Sequence, residues 1–305
     1  SPIENITQTR IVKVNLKINN MVKSAVSLVL CIFALTTTSA QEYSSSSIFA
    51  HNDYVQPIPF LTAYYEQVGF IEADVFLNHK DLLVAHTEQE IDKERTLEEL
   101  YFKPLLKKIS NNNGFVYANQ EKSLTLMIDL KTDGVPTLNT LVKKLKKYPQ
   151  LTSCPTLQIT ISGNVPDAGQ WKNYPAFIYF DGRPGTPYSR DQLDRISLIS
   201  TNFRNYSQWN GKGVLVKEEH EKILRIINEV HSNGKKIRFW GAPDFSNTWM
   251  ELMKLKVDII NTDHVPGLAT YLKNFTKSNY QHATPHVVYE PAANHEKSNS
   301  SPKNI

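Results

Sequence analysis

Two acids, Glu72 and Asp74, interrupt the apolar run "FIEADVFL", and a third, Asp129, interrupts "LTLMIDLK". An unpaired charge is costly to bury, so these carboxylates need a neutralising partner. Side chains alternate along a strand with period two. Glu72 and Asp74 therefore share one face, as do Asp129 and Lys131, and Arg238 and Trp240 in "KIRFWGA". His51 and His86 close the short runs "IFAHN" and "DLLVAH". Converging carboxylates repel one another, and a hard cation such as Mg²⁺, with Ca²⁺ as the alternative, relieves that repulsion through oxygen ligands. Imidazoles beside such a centre suit general acid and base work. For each acid taken singly, a salt bridge to Lys131 or Arg238 is the competing reading. For each histidine it is a core or loop position. Zinc is disfavoured, because no close His/Cys spacing occurs.

The chemistry needs elements that bring these residues together. Eight strand-like runs, "IFAHN", "FIEADVFL", "LTLMIDLK", "LQITISG", "FIYFDG", "ISLIST", "KIRFWGA" and "VDIINTD", alternate with helical patterns. The spacing predicts an α/β chain folded as a (β/α)₈ TIM barrel, whose active sites lie at the C-terminal ends of the strands. That is where the singled-out residues fall. A doubly wound sheet is the alternative, but no G-x-G-x-x-G follows the first strand. "DLLVAH" reads as an extra strand pairing back across "NHKD". Gly69 reads as a helix stop, Pro104 as a kink in the helix from Thr96, and "LVKKLKKY" as an amphipathic helix with a lysine-rich face. Cys154 reads as a small core residue.

The net charge of +4 is small for 305 residues, and no long basic block suggests nucleic-acid binding. Residues 1–20 are predicted to be an upstream extension. Residues 21–40 read as a signal peptide: Lys23 opens it, Ala25 to Leu35 form an apolar stretch too short to span a bilayer, and cleavage follows Ala40. A membrane anchor is the alternative. The expected destination is outside the cytosol, periplasmic or extracellular. The catalytic domain is expected over 48–275, and the polar 278–305 tail is expected to be disordered.

The block "FIEADVFLNHKDLLVAH", an acid-x-Asp pair followed by a strand ending in His, resembles the PLC-like phosphodiesterase superfamily. That superfamily contains glycerophosphodiester phosphodiesterases and sphingomyelinase D-type enzymes. "MIDLKTDG" resembles the "DLKT" segment of the latter. "HNDY", "EADV", "TLEELYFKPL" and "RFWGAPD…WMELMKLKVDIINTD" are similar to the altered inheritance of mitochondria protein 6 group of fungi and its bacterial relatives. The resemblance runs from about His51 to Leu272 and implies a set of roles. His51 and His86 would be the acid/base pair, and Glu72, Asp74 and Asp129 would hold one divalent metal. Lys131 would contact phosphate. Apart from the resemblance, position at the same strand ends makes Asn52, Arg238 and Trp240 candidate substrate-binding residues, Trp240 as a cation–π face for a choline-like headgroup. The resemblance implies a phosphoric diester hydrolase acting on a phosphodiester or phospholipid headgroup, sometimes through a cyclic phosphate. A monomer in contact with a membrane surface is a separate expectation. Two departures count against glycerophosphodiesters: Asn52 stands where arginine is usual, and little room for an insertion separates His86 from Asp129. A retired barrel that binds phosphorylated headgroups, and a glycosidase on the same fold, stay open as other classes.

Overall fold

The computed structural model describes residues 42–275. The predicted upstream extension, leader and tail (1–20, 21–40, 278–305) lie outside the described residues. Each apolar run forms its strand: β1 (Ile48–Ala50), β2 (Phe70–Asn78), β4 (Leu124–Leu130), β5 (Leu157–Gly163), β6 (Ile178–Gly182), β7 (Ile196–Asn202), β8 (Ile237–Trp240) and β9 (Ile260–Thr262). All neighbours on the path β8-β7-β6-β5-β4-β2-β1-β9 pair in parallel. A parallel bridge between Arg238 and Ile259 joins β8 to the β9 side and closes the ring as a (β/α)₈ barrel. The extra strand, β3 (Asp81–Val84), pairs antiparallel with β2 through a hairpin in which His79 adopts a φ of 53°. That hairpin brings His86 back towards the end of β2.

The helices are α1 (Leu61–Tyr65), α2 (Lys103–Asn111), α3 (Gly134–Leu145), α4 (Pro149–Thr152), α5 (Arg190–Asp194), α6 (Lys217–Ser232), α7 (Ser246–Lys254) and α8 (Val265–Phe275). Outward-facing strand residues such as Ile71, Ala73, Val75, Leu126 and Ile128 are buried in one core with Leu138, Leu141 and Leu145 of α3. A separate apolar cluster, Phe49, Phe70, Met127, Leu198 and Ile259, fills the lower lumen. No described helix is long and apolar enough to cross a membrane.

Three local expectations change. Gly69 does not stop a helix: α1 ends at Tyr65, and Gln67 takes the left-handed turn with a φ of 56°. Gly69 is needed for contact, since a Cβ there would fall 2.0 Å from the Ser46 carbonyl oxygen. The segment before α2 is a wide π turn, Glu98–Phe102. Pro104, which lacks an N–H, sits in the first turn of α2, where none is needed. On α3 the lysines do not all face solvent. Lys144 is buried, paired with Glu98 and with Asp81 at 3.3 Å, and so ties α3 to the β2–β3 hairpin.

Candidate active site

Parallel register sets Asp74 opposite Asp129, and Asp129 opposite Ser162. One oxygen from each of Glu72, Asp74 and Asp129 lies within 4.8 Å of the other two. Each carboxylate is held by a donor. The Asn52 N–H donates to Glu72 Oε2 (3.2 Å), the Tyr54 hydroxyl to Asp74 Oδ2 (2.7 Å), and the Ser162 hydroxyl to Asp129 Oδ2 (2.8 Å). Asn52 aims its N–H from left-handed backbone, φ 50°, which asparagine tolerates better than most residues. Gly163 is also left-handed, φ +74°, and a Cβ there would stand 2.5 Å from Asp129 Oδ1. Only glycine fits that position without moving the carboxylate.

The cations lie around this cluster. Lys131 Nζ is 2.9 Å from both Asp74 Oδ2 and Asp129 Oδ1. Arg238 is buried at the floor of the site, 3.7 Å from Glu72 Oε1, with its guanidinium 3.8 Å from the centre of the Phe49 ring. Charge asymmetry persists despite these pairs. Burial and the charge of Glu72 push Asp74 up to about 6, against the help of Tyr54 and Lys131. Lys131 is pushed up to about 12: burial alone would lower it, but Asp129 and Asp74 prevail. A carboxylate whose proton affinity stays raised beside a lysine marks a cluster short of positive charge. Three hard oxygen donors at that spacing fit one divalent cation.

Two imidazoles flank the acids. His51 Nδ1 is 2.7 Å from Asp263 Oδ1, and its Nε2 is 3.6 Å from Glu72 Oε2. The Asp263 contact assigns the proton to Nδ1 and turns Nε2 towards the acids. Burial would lower the basicity of His51, but the bond to Asp263 and the charges of Glu72 and Asp263 raise it above the ordinary value. His86 Nδ1 lies 3.0 Å from the Tyr54 hydroxyl and 3.7 Å from Asp74 Oδ2, with its side chain 55% exposed. Trp240, 39% exposed, stands at the rim.

Every residue singled out from sequence lines one cavity of about 450 Å³: His51, Asn52, Glu72, Asp74, His86, Asp129, Lys131, Arg238 and Trp240. A larger groove of about 890 Å³ near α2 and Cys154 is lined by no acid and no histidine. Sequence reasoning missed Asp181 and Arg183 in the same cavity. The acid inside "FIYFDG" is the kind of signal that revealed Glu72, and it was there to be read. Asp263, at the end of "INTD", was similarly visible. Tyr54 was not, because nothing in a loop tyrosine's neighbours predicts a reach to β2.

Residues 37–152 match the family profile described as "AIM6-like phosphodiesterase domain", and residues 236–266 match "Glycerophosphoryl diester phosphodiesterase family". Barrel, acid cluster and these matches define a member of the PLC-like phosphodiesterase superfamily. The chain is 35% identical to the altered inheritance of mitochondria protein 6 homolog of Arthroderma benhamiae, over 73% of this chain and 83% of that one. It is 24% identical to altered inheritance of mitochondria protein 6 of Kluyveromyces lactis, over 74% and 72%. The protein belongs to the altered inheritance of mitochondria protein 6 family. A glycerophosphodiester phosphodiesterase structure from Parabacteroides distasonis overlays with a TM-score of 0.48 at 14% identity, covering 76% of this chain and 99% of that one.

Proposed function

We propose that the protein is a metal-dependent phosphoric diester hydrolase acting on a phospholipid or a lipid-derived phosphodiester. One observation carries this reading: three carboxylate oxygens within 4.8 Å of one another, flanked by His51 and His86. Glu72, Asp74 and Asp129 would hold one divalent ion, Mg²⁺ or Ca²⁺, which when bound supplies Lewis-acid polarisation of a phosphoryl oxygen. Lys131 places a fixed ammonium where charge builds on the phosphate. His51 and His86 divide the proton transfers: one takes a proton from the attacking hydroxyl as the new P–O bond forms, the other gives one to the leaving oxygen as the old bond breaks. Asp263 orients His51, as a carboxylate orients the histidine of a hydrolytic triad. Trp240 offers an aromatic face to a cationic headgroup.

The rim supports a lipid substrate. Val55, Ile58, Val214, Val216 and Trp240 are exposed, and they stand on the loops after β1, β7 and at the end of β8, all at the mouth. Val214 is 87% exposed while its neighbour Leu215 is buried, so the chain is pinned with a valine held outward. The leader-like segment 21–40 supports export as part of the same proposal.

The test is a panel of lipid and water-soluble phosphodiesters with Mg²⁺, Ca²⁺ or Mn²⁺, followed by ³¹P NMR, which also reveals any cyclic phosphate. Metal-dependent cleavage abolished by EDTA is the expected result. Binding without cleavage of any member would favour a retired barrel.

A further inference from the structure

We propose that Arg183 forms a second anion subsite, which takes a carboxylate or phosphate carried by the alcohol of the phosphodiester substrate. The proposal rests on the phosphodiesterase reading and narrows its substrate class.

Arg183 follows β6, which lies across the barrel from β1 and its His51, four strands away by either route around the ring. Two strand intervals separate it from Lys131 after β4. At roughly 4.8 Å per interval, its backbone stands about 10 Å from that of Lys131. A phosphate seated against Lys131 and the acid cluster would therefore extend its alcohol towards Arg183. Both ends belong to the same cavity.

The guanidinium is a prepared clamp. Its Nη1 donates to Asp181 Oδ2 (2.8 Å) and to the Gly182 carbonyl (2.9 Å), while Nε and Nη2 bond no described residue. Asp181 is buried, and Arg183 is 45% exposed. One edge of the fork is thus fixed by a buried carboxylate and the other opens to the cavity. The loop behind it is stiff. Pro184 and Pro187 restrict the backbone. The Arg183 N–H donates to the Tyr188 hydroxyl (3.0 Å), and Tyr188 stacks on Trp171 with ring centres 5.7 Å apart. Such rigidity lowers the cost of ordering a ligand. The planar fork suits carboxylate and phosphate better than an ammonium does.

Lysophosphatidylserine and lysophosphatidylethanolamine differ by one carboxylate and form a matched pair. The wild-type chain is expected to favour the serine ester about tenfold or more in kcat/KM, the size of one charge-assisted pair. Arg183→Gln should bring that ratio close to one, and Arg183→Lys should keep part of it. A binding arm runs beside the kinetics: calorimetry with O-phosphoserine and phosphoethanolamine, on wild type and both variants. A ratio near one in the wild type, or a preference unchanged in Arg183→Gln, overturns the subsite. If no diester is cleaved but phosphoserine is preferred in an Arg183-dependent way, the subsite stands and the hydrolase reading falls. If diesters are cleaved without that dependence, the hydrolase reading stands and the subsite falls.

Discussion

The barrel lumen has two storeys made by the same strands. Phe49, Phe70, Met127, Leu198 and Ile259 form the lower one, a dry apolar plug. Two residues further along each segment stand His51, Glu72, Asp129, Ser200 and Asn261. Period-two alternation keeps both sets facing inward, so one strand serves packing at one level and chemistry at the next. Arg238 joins the storeys, its guanidinium over Phe49 and its charge towards Glu72. In the upper storey, buried polar atoms of Arg238 and Asn261 have no hydrogen-bond partner among the described residues. A packing layer rarely leaves such atoms unpaired. This layer trades satisfaction of its own polar groups for a site that faces a ligand.

Crossing the two roles tests this division. His51→Ala in the upper storey is expected to lower kcat by about 10²–10⁴, with a midpoint of urea unfolding near that of the wild type. Leu198→Ala in the lower storey should do the reverse. It should cost about 2–5 kcal/mol of stability, while turnover per folded molecule stays near wild type. If Leu198→Ala removes turnover from fully folded chains, the division between storeys is wrong.

A smaller effect comes from just outside the lumen. Asp53 is buried, accepting the Phe60 N–H (2.6 Å) and the Tyr101 hydroxyl (2.9 Å). Burial pushes its carboxyl up to about 6 against those two bonds. The folded chain therefore holds this proton more tightly than the unfolded chain, whose value is near 3.8. Its stabilising contribution is full below about pH 4 and is lost as pH rises through 6, a change of about 3 kcal/mol. Asp53→Asn removes that loss, so its stability relative to wild type should improve by a similar amount between pH 3 and pH 8 in urea unfolding. A pH-independent difference would contradict the assignment. Smallest of all, Gly163→Ala should displace Asp129 and weaken divalent-ion affinity about 10–100-fold, measured by calorimetry, although every ligand residue is retained.

The strands, the closed barrel and the acid cluster were legible because they rest on alternation, which is local. The β2–β3 hairpin was legible from "NHKD" between two apolar runs. What escaped depended on distant partners. Lys144 looks like a surface lysine until Glu98 and Asp81 are brought to it from other parts of the chain. Gly69 looks like a helix stop until Ser46 is laid against it. Asn52 reads as a lost arginine in sequence. In the fold it is a left-handed residue whose N–H holds Glu72. Arg183 was passed over because its meaning depends on Asp181, and a single acid in a strand points to no particular partner.

The central claim is that acids from two neighbouring strands share one ion. Mn²⁺ titrated into the metal-free protein, with free ion read by electron paramagnetic resonance, tests it without reference to any substrate. One tight site per chain is expected, weakened at least about tenfold by Asp74→Asn and by Asp129→Asn. No tight site in the wild type, or a site untouched by both substitutions, would contradict it.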